Sequence, residues 1–141
     1  MKRILDCRAS DFRKFGRKQL KQSILAAEGR TVIAETVAKA EPLYPETTNA
    51  ELMKAFGADM ILLNVFDVFN PEIKGLKASS IFEDADAGNA DGNPVAILKS
   101  LVGLPIGVNL EPVDEAAERL EALSPIAPGR QASIDSLKKA D

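Results

Sequence analysis

Residues 58–69, with the sequence ADMILLNVFDVF, decide the predicted fold. Residues 60–63 are apolar at every position, whereas a strand with one solvated face would alternate apolar and polar residues. A helical pattern ends at Gly57 just before this stretch, and Asn70-Pro71 follows it, which favours a short strand over a buried helix. We therefore predict a parallel strand that is covered on both faces.

The segments around this strand alternate between strand and helix patterns. Two further strands are predicted at residues 31–37 and 105–110, where β-branched and apolar residues cluster. Cap residues and apolar spacing predict helices between and around the strands, at residues 10–29, 48–57, 93–103, 114–123 and from Ser133 onward. This alternation predicts an α/β fold of parallel βα units in a single domain over residues 1–141.

Composition excludes several classes of function. The chain has 141 residues and a net charge of -3, with no basic segment that would suit a nucleic acid. It contains no histidine, which rules out catalytic triads and zinc sites that need one. Cys7 is the only cysteine, so no intramolecular disulfide forms, and no apolar run is long enough for a signal peptide or a membrane span. We expect a cytoplasmic protein with no membrane or nucleic-acid partner.

The number of strands raises a question about completeness. A closed (β/α)₈ TIM barrel needs eight strands and about 250 residues. Three predicted strands suggest the N-terminal part of such a barrel, ending before its fourth strand. The alternative is a compact three-stranded α/β unit. In both cases open sheet edges would allow the chain to form a homo-oligomer.

Polar side chains lie at or near the carboxyl end of each predicted strand, where the loops of a barrel build the active site. We predict that three carboxylates, Glu35, Asp67 and Glu111, have catalytic and metal-binding roles. We predict that two amides, Asn64 and Asn109, bind the substrate. Carboxylates suit Mg²⁺, which can stabilise the enolate-like charge that develops on a keto acid. The structural alternative is that these side chains only cap strands and fix loops.

Five stretches resemble a bacterial family of (β/α)-barrel proteins described as related to phosphoenolpyruvate phosphonomutase. They are ILDCRASDF at 4–12, AEGRT at 27–31, TNAEL at 48–52, GADMILLNVFDVFNP at 57–71 and GRQAS at 129–133. The resemblance implies a Mg²⁺-dependent enzyme that acts on a small phosphorylated or keto-acid metabolite. The dense acidic motifs of the characterised phosphonomutases have no residue-by-residue match in this chain, and a fragment alone is expected to be inactive.

Two other functions remain open from the sequence. Residues 81–86, IFEDAD, imitate a strand followed by the Asp-x-Asp motif of haloacid dehalogenase-like hydrolases, with Asp84 as the nucleophile. The acidic, glycine-containing residues 83–93 do not follow the Ca²⁺-loop pattern, because Val95 stands where that pattern requires Glu. The other open function is a non-catalytic module that pairs with another chain through its sheet edges.

Overall fold

The computed structural model describes residues 2–76, 93–113 and 126–141. Its sheet contains three strands, β1 (Ile33–Val37), β2 (Met60–Asn64) and β3 (Ile106–Val108), in the order β1-β2-β3. Both pairings are parallel, with Ile33 opposite Met60 and Ile61 opposite Ile106. The predicted α/β class and the parallel, in-order strands are therefore confirmed, whereas closure into a TIM barrel stays a prediction.

The described part of the chain contains five helices besides this sheet. Their bounds are α1 (Ala9–Phe12), α2 (Arg17–Leu25), α3 (Asn49–Ala55), α4 (Pro94–Val102) and α5 (Ile134–Ala140). Short 3₁₀ turns lie at Ile4–Asp6 and Pro128–Arg130. The helix predicted at 114–123, the Asp-x-Asp motif at 84–86 and most of the acidic stretch 83–93 lie outside the described residues.

The predicted caps start three of these helices. The Thr48 hydroxyl accepts a hydrogen bond from the Glu51 backbone N–H at 3.2 Å, and the Glu51 carboxylate accepts one from the Thr48 N–H at 2.8 Å. Asn93 caps α4 by accepting from the Val95 N–H at 3.0 Å, with Pro94 as the first helical residue. Ser133 caps α5 in the same way. These bonds satisfy backbone donors that the first helical turn leaves free.

The predicted helix at 10–29 is wrong as a single element. The chain forms α1 and α2 there, and Gly16 between them has an extended backbone, with φ -90° and ψ -178°. The Gln19 side chain accepts a hydrogen bond from the Gly16 N–H at 3.1 Å, so a new helix starts at this point. Strands β1 and β3 are also shorter than predicted, at Ile33–Val37 and Ile106–Val108.

Helices α3 and α4 pack on the same face of the sheet. The register places alternate residues of all three strands on that face, and they form one hydrophobic cluster with Ala50 and Met53 of α3 and Leu98 and Val102 of α4. Ile61 and Leu63 are fully buried at its centre. The helices α3 and α4, which lie between successive strands in the chain, therefore cover one face of the described sheet.

The amino end of the sheet is covered by the N-terminal segment. Ile4, Phe12 and Ala27 form a second buried cluster, and Met60 at the start of β2 packs against it. Phe12 and Phe15 meet edge to face, with ring centroids 5.8 Å apart. No helix in the described ranges is long and apolar enough to cross a membrane.

Candidate functional site at the carboxyl edge of the sheet

Glu35 and Asn64 meet at the carboxyl end of the sheet, on the face opposite α3 and α4. The Asn64 Nδ2 donates a hydrogen bond to Glu35 Oε1 at 2.7 Å. The Asn64 Oδ1 accepts from the Val65 N–H, also at 2.7 Å. A carboxylate only accepts and a backbone N–H only donates, so these two partners fix the orientation of the amide. Glu35 is exposed and Asn64 is half-buried, so the pair is open to a ligand.

Val65 directly follows this pair and has a strained backbone. Its φ is +54°, in the left-handed region. That region is uncommon for any residue other than glycine and is an outlier for a β-branched one, because Cβ crowds the following carbonyl. Strain of this kind costs about 1–3 kcal/mol and clusters at functional sites. The left-handed conformation turns the chain at the residue that directly follows the Glu35–Asn64 pair.

Asp67 lies in the same loop, and its side chain accepts hydrogen bonds from the backbone. Its Oδ1 accepts hydrogen bonds from the N–H groups of Phe69 at 2.9 Å and Asn70 at 3.0 Å. It is buried against Gly129, where an added Cβ would lie 1.7 Å from that same oxygen. The Val68 N–H donates to the Gly129 carbonyl at 3.0 Å. In this arrangement Asp67 shapes the loop and holds residues 128–130 against it.

Glu111 forms an ion pair with Arg130. The Arg130 Nη2 lies 2.5 Å from Glu111 Oε1, and both side chains are half-buried. The backbone reinforces this contact, because the Glu111 N–H donates to the Arg130 carbonyl and the Ala132 N–H donates to the Glu111 carbonyl, both at 2.8 Å. A guanidinium has five N–H donors, so Arg130 keeps donors for a second acceptor. The positively charged Arg130 guanidinium therefore lies near the carboxyl end of β3.

Asn109 and the loops after β1 and β2 complete this edge. The Asn109 N–H extends the ladder by donating to the Leu63 carbonyl at 2.9 Å. The Lys74 N–H donates to the Ala38 carbonyl at 2.8 Å, which joins the two loops. A hydrogen bond from Lys74 to Glu72, helped by the charges of Glu72 and Glu41, raises the pKa of the Lys74 ammonium. Lys74 therefore carries a positive charge at neutral pH.

Among the five predicted site residues, the structure joins one pair, Glu35 and Asn64, by a side-chain hydrogen bond. Within residues 2–76, 93–113 and 126–141, no three side chains of the types that bind metals are grouped as a metal site. Asp67 has its Oδ1 on two backbone donors, and Glu111 has an arginine partner. The assignment of Glu35, Asp67 and Glu111 as shared Mg²⁺ ligands stays a prediction.

Sequence reasoning missed Val65, Gly129 and Arg130. A positive φ at a valine has no local signal, since β-branched residues avoid that conformation. Gly129 and Arg130 belong to one of the stretches that carry the resemblance, and a glycine after a proline-rich connection is compatible with a close backbone approach. Their partners, Asp67 and Glu111, are distant in the chain, so only the fold connects them.

These features define the chain as an α/β domain of parallel βα units with a polar carboxyl edge. Within that class, the chain belongs to the family of the domain of unknown function DUF7916, whose model matches residues 5–141. No curated protein and no solved structure matches the chain. The family match carries no activity, so the likeness to phosphonomutase-related barrels stays a prediction.

Proposed function

We propose that the carboxyl edge of the sheet is the active site of a TIM-barrel-type enzyme that uses Mg²⁺ on a small phosphorylated or keto-acid metabolite. The observation that carries this proposal is the exposed Glu35–Asn64 pair on neighbouring parallel strands. The resemblance to phosphonomutase-related barrels and the single-face packing of α3 and α4 support the same class. Active sites in such barrels lie at this end of the strands.

Glu35 is the residue proposed to hold the metal. Mg²⁺ in enzymes often takes only one or two protein carboxylates and fills its other positions with water and substrate oxygens. An exposed carboxylate that a neighbouring amide orients meets that requirement without a third acid. When bound, the metal would draw off negative charge that develops on the substrate.

Asn64 and Arg130 are proposed to position the reactants. Asn64 holds the Glu35 carboxylate in one orientation and is itself held by the Val65 N–H. Arg130 stands beside Glu111 with donors to spare, and a guanidinium suits the carboxylate or phosphate of the metabolite. In this proposal the surrounding loops are held in place by Asp67, Asn109 and Glu111. The catalytic and metal-binding roles of Asp67 and Glu111 stay predictions.

The test combines Mg²⁺ binding with a chemical readout. Melting curves with and without millimolar Mg²⁺ should show stabilisation, by about 2.7 kcal/mol at a hundredfold excess over the dissociation constant. The methyl protons of pyruvate in D₂O should then exchange faster with protein and Mg²⁺ together than with either alone, as NMR would detect. Glu35→Gln should abolish both effects, whereas Glu46→Gln, at an exposed loop acid, should leave them unchanged. Stabilisation by Mg²⁺, or a protein-dependent acceleration of exchange, that survives Glu35→Gln would refute the proposal.

Pairing between copies of the chain is a second candidate function, which the edge strand β1 favours. In the described sheet β1 pairs with β2 alone, and its Ile33 and Val37 are 54% and 41% exposed. Exposed β-branched residues on an open edge invite strand addition. Size-exclusion chromatography over a dilution series should then show a dimer that Ile33→Lys dissociates. A monomer at every concentration would exclude this function.

A further inference from the structure

A groove between α1 and α4 lies away from the carboxyl edge, beside the amino end of β3. Its volume is about 300 Å³, at the lower end of the range for small-molecule pockets. We call it the α1–α4 groove, and it is lined by residues of both helices and of the turn that leads into β3: Ala9, Phe12, Arg13, Ala96, Lys99, Ser100, Gly103 and Leu104.

The charged residues that line the α1–α4 groove in the described part of the chain are basic. They are Arg13 and Lys99, beside Ser100, and none of the described acidic residues lines the groove, although the whole chain has more acids than bases. Neither cation belongs to an ion pair within the described ranges. The Lys54 Nζ also lies close, 4.0 Å from the position of a Cβ built on Gly103. The groove therefore favours an anion.

The floor of the groove is apolar, and small residues let α1 and α4 approach each other closely. Phe12 is only 7% exposed and Leu104 packs on the same N-terminal cluster. Gly103 has a φ of +63°, and an added Cβ would lie 2.8 Å from the Cβ of Ala9. A larger residue at position 103 would therefore push α1 away from α4. An apolar floor beneath a basic rim suits a molecule with a short apolar body and an anionic head.

We propose that the α1–α4 groove binds a small amphiphilic anion, with its carboxylate or phosphate head between Arg13 and Lys99 and its apolar body on Phe12 and Leu104. This site is separate from the proposed active site and does not depend on it. Lys99 also lies in the last turn of α4, where a positive charge is favourable because of the helix dipole. That role alone would make Lys99 matter for stability but would create no ligand response.

The test uses hexanoate and hexyl phosphate as probes, with acetate and hexylamine as controls. Isothermal titration calorimetry should show binding of hexanoate or hexyl phosphate, weaker binding of acetate, which lacks the apolar body, and none of hexylamine. Arg13→Gln and Lys99→Gln should each weaken binding by about fivefold, as the loss of about 1 kcal/mol implies. Lys21→Gln, at an exposed lysine of α2, should leave it unchanged.

A second variant separates filling of the groove from loss of charge. Ala96→Leu keeps both cations but occupies the groove, so it should abolish binding while the melting temperature without ligand stays close to that of the wild type. The proposal is overturned if neither anionic probe binds, if hexylamine binds equally well, or if binding is insensitive to both charge variants and to Ala96→Leu.

Discussion

The two faces of the sheet differ in what covers them. On the face under α3 and α4, Ile61 and Leu63 are completely buried. On the opposite face, the described residues leave Ile33 and Val37 of β1 largely exposed, and Met60 and Leu62 of β2 only half-buried. Parallel sheets are normally covered on both sides, so this asymmetry is unusual.

Because of this asymmetry, the residues that stabilise the fold and the residues of the candidate site lie on opposite faces of the sheet. The covered face carries apolar side chains that two helices remove from water, each contributing about 1.5–3 kcal/mol when fully buried. The open face carries Glu35 and Asn64, a polar pair that a covered face would accept only at a cost of several kcal/mol. A polar site can therefore sit one residue away from the core, because successive strand residues point to opposite faces.

The largest expected effect comes from a charge on the covered face. Leu63→Asp should destabilise the fold by about 4 kcal/mol or more, because it places an unpaired carboxylate where the leucine is 0% exposed. Such a loss approaches the whole stability of a small domain. Ile33→Asp, on the open face of β1, should cost less than about 1 kcal/mol. Urea denaturation of both variants measures the difference, and equal losses would mean that the two faces do not differ in this way.

A smaller effect is expected where the carboxyl edge is held together. Gly129→Ala should cost about 1–3 kcal/mol, because its Cβ would lie 1.7 Å from Asp67 Oδ1. In an Asp67→Ala background that oxygen is gone, so the same change should cost at least about 1 kcal/mol less. A thermal-melt double-mutant cycle gives this coupling. Additive costs would show that Asp67 and Gly129 act independently.

The sequence predicted those parts of the fold that local interactions decide. Thr48 and Glu51, three residues apart, form their capping box wherever a helix starts there, and Asn93-Pro94 begins α4 for the same reason. The apolar run at residues 60–63 identified β2, and the alternation of elements indicated parallel pairing. The break at Gly16 was missed because apolar spacing continues across it, so the pattern is compatible with one long helix.

The site was less predictable because its contacts join distant parts of the chain. Glu35 and Asn64 were expected at one edge, since the carboxyl ends of neighbouring parallel strands coincide, and their hydrogen bond fits that expectation. Asp67 and Glu111 contact residues 128–131, and the sequence pattern does not predict where that segment packs. A charged residue near a strand end thus indicates where a site lies but not which group it binds.

The smallest expected effect has the opposite sign and concerns the strained Val65. Asparagine tolerates the left-handed conformation far better than valine, so Val65→Asn should raise the free energy of unfolding by about 1 kcal/mol. Val37→Asn is the matched control: it makes the same chemical change on the open face of β1, where the backbone is extended and valine is favoured, and it should lower stability slightly. Chemical denaturation of the two variants gives both signs. If Val65→Asn also destabilises, the left-handed conformation of Val65 carries no strain that asparagine relieves.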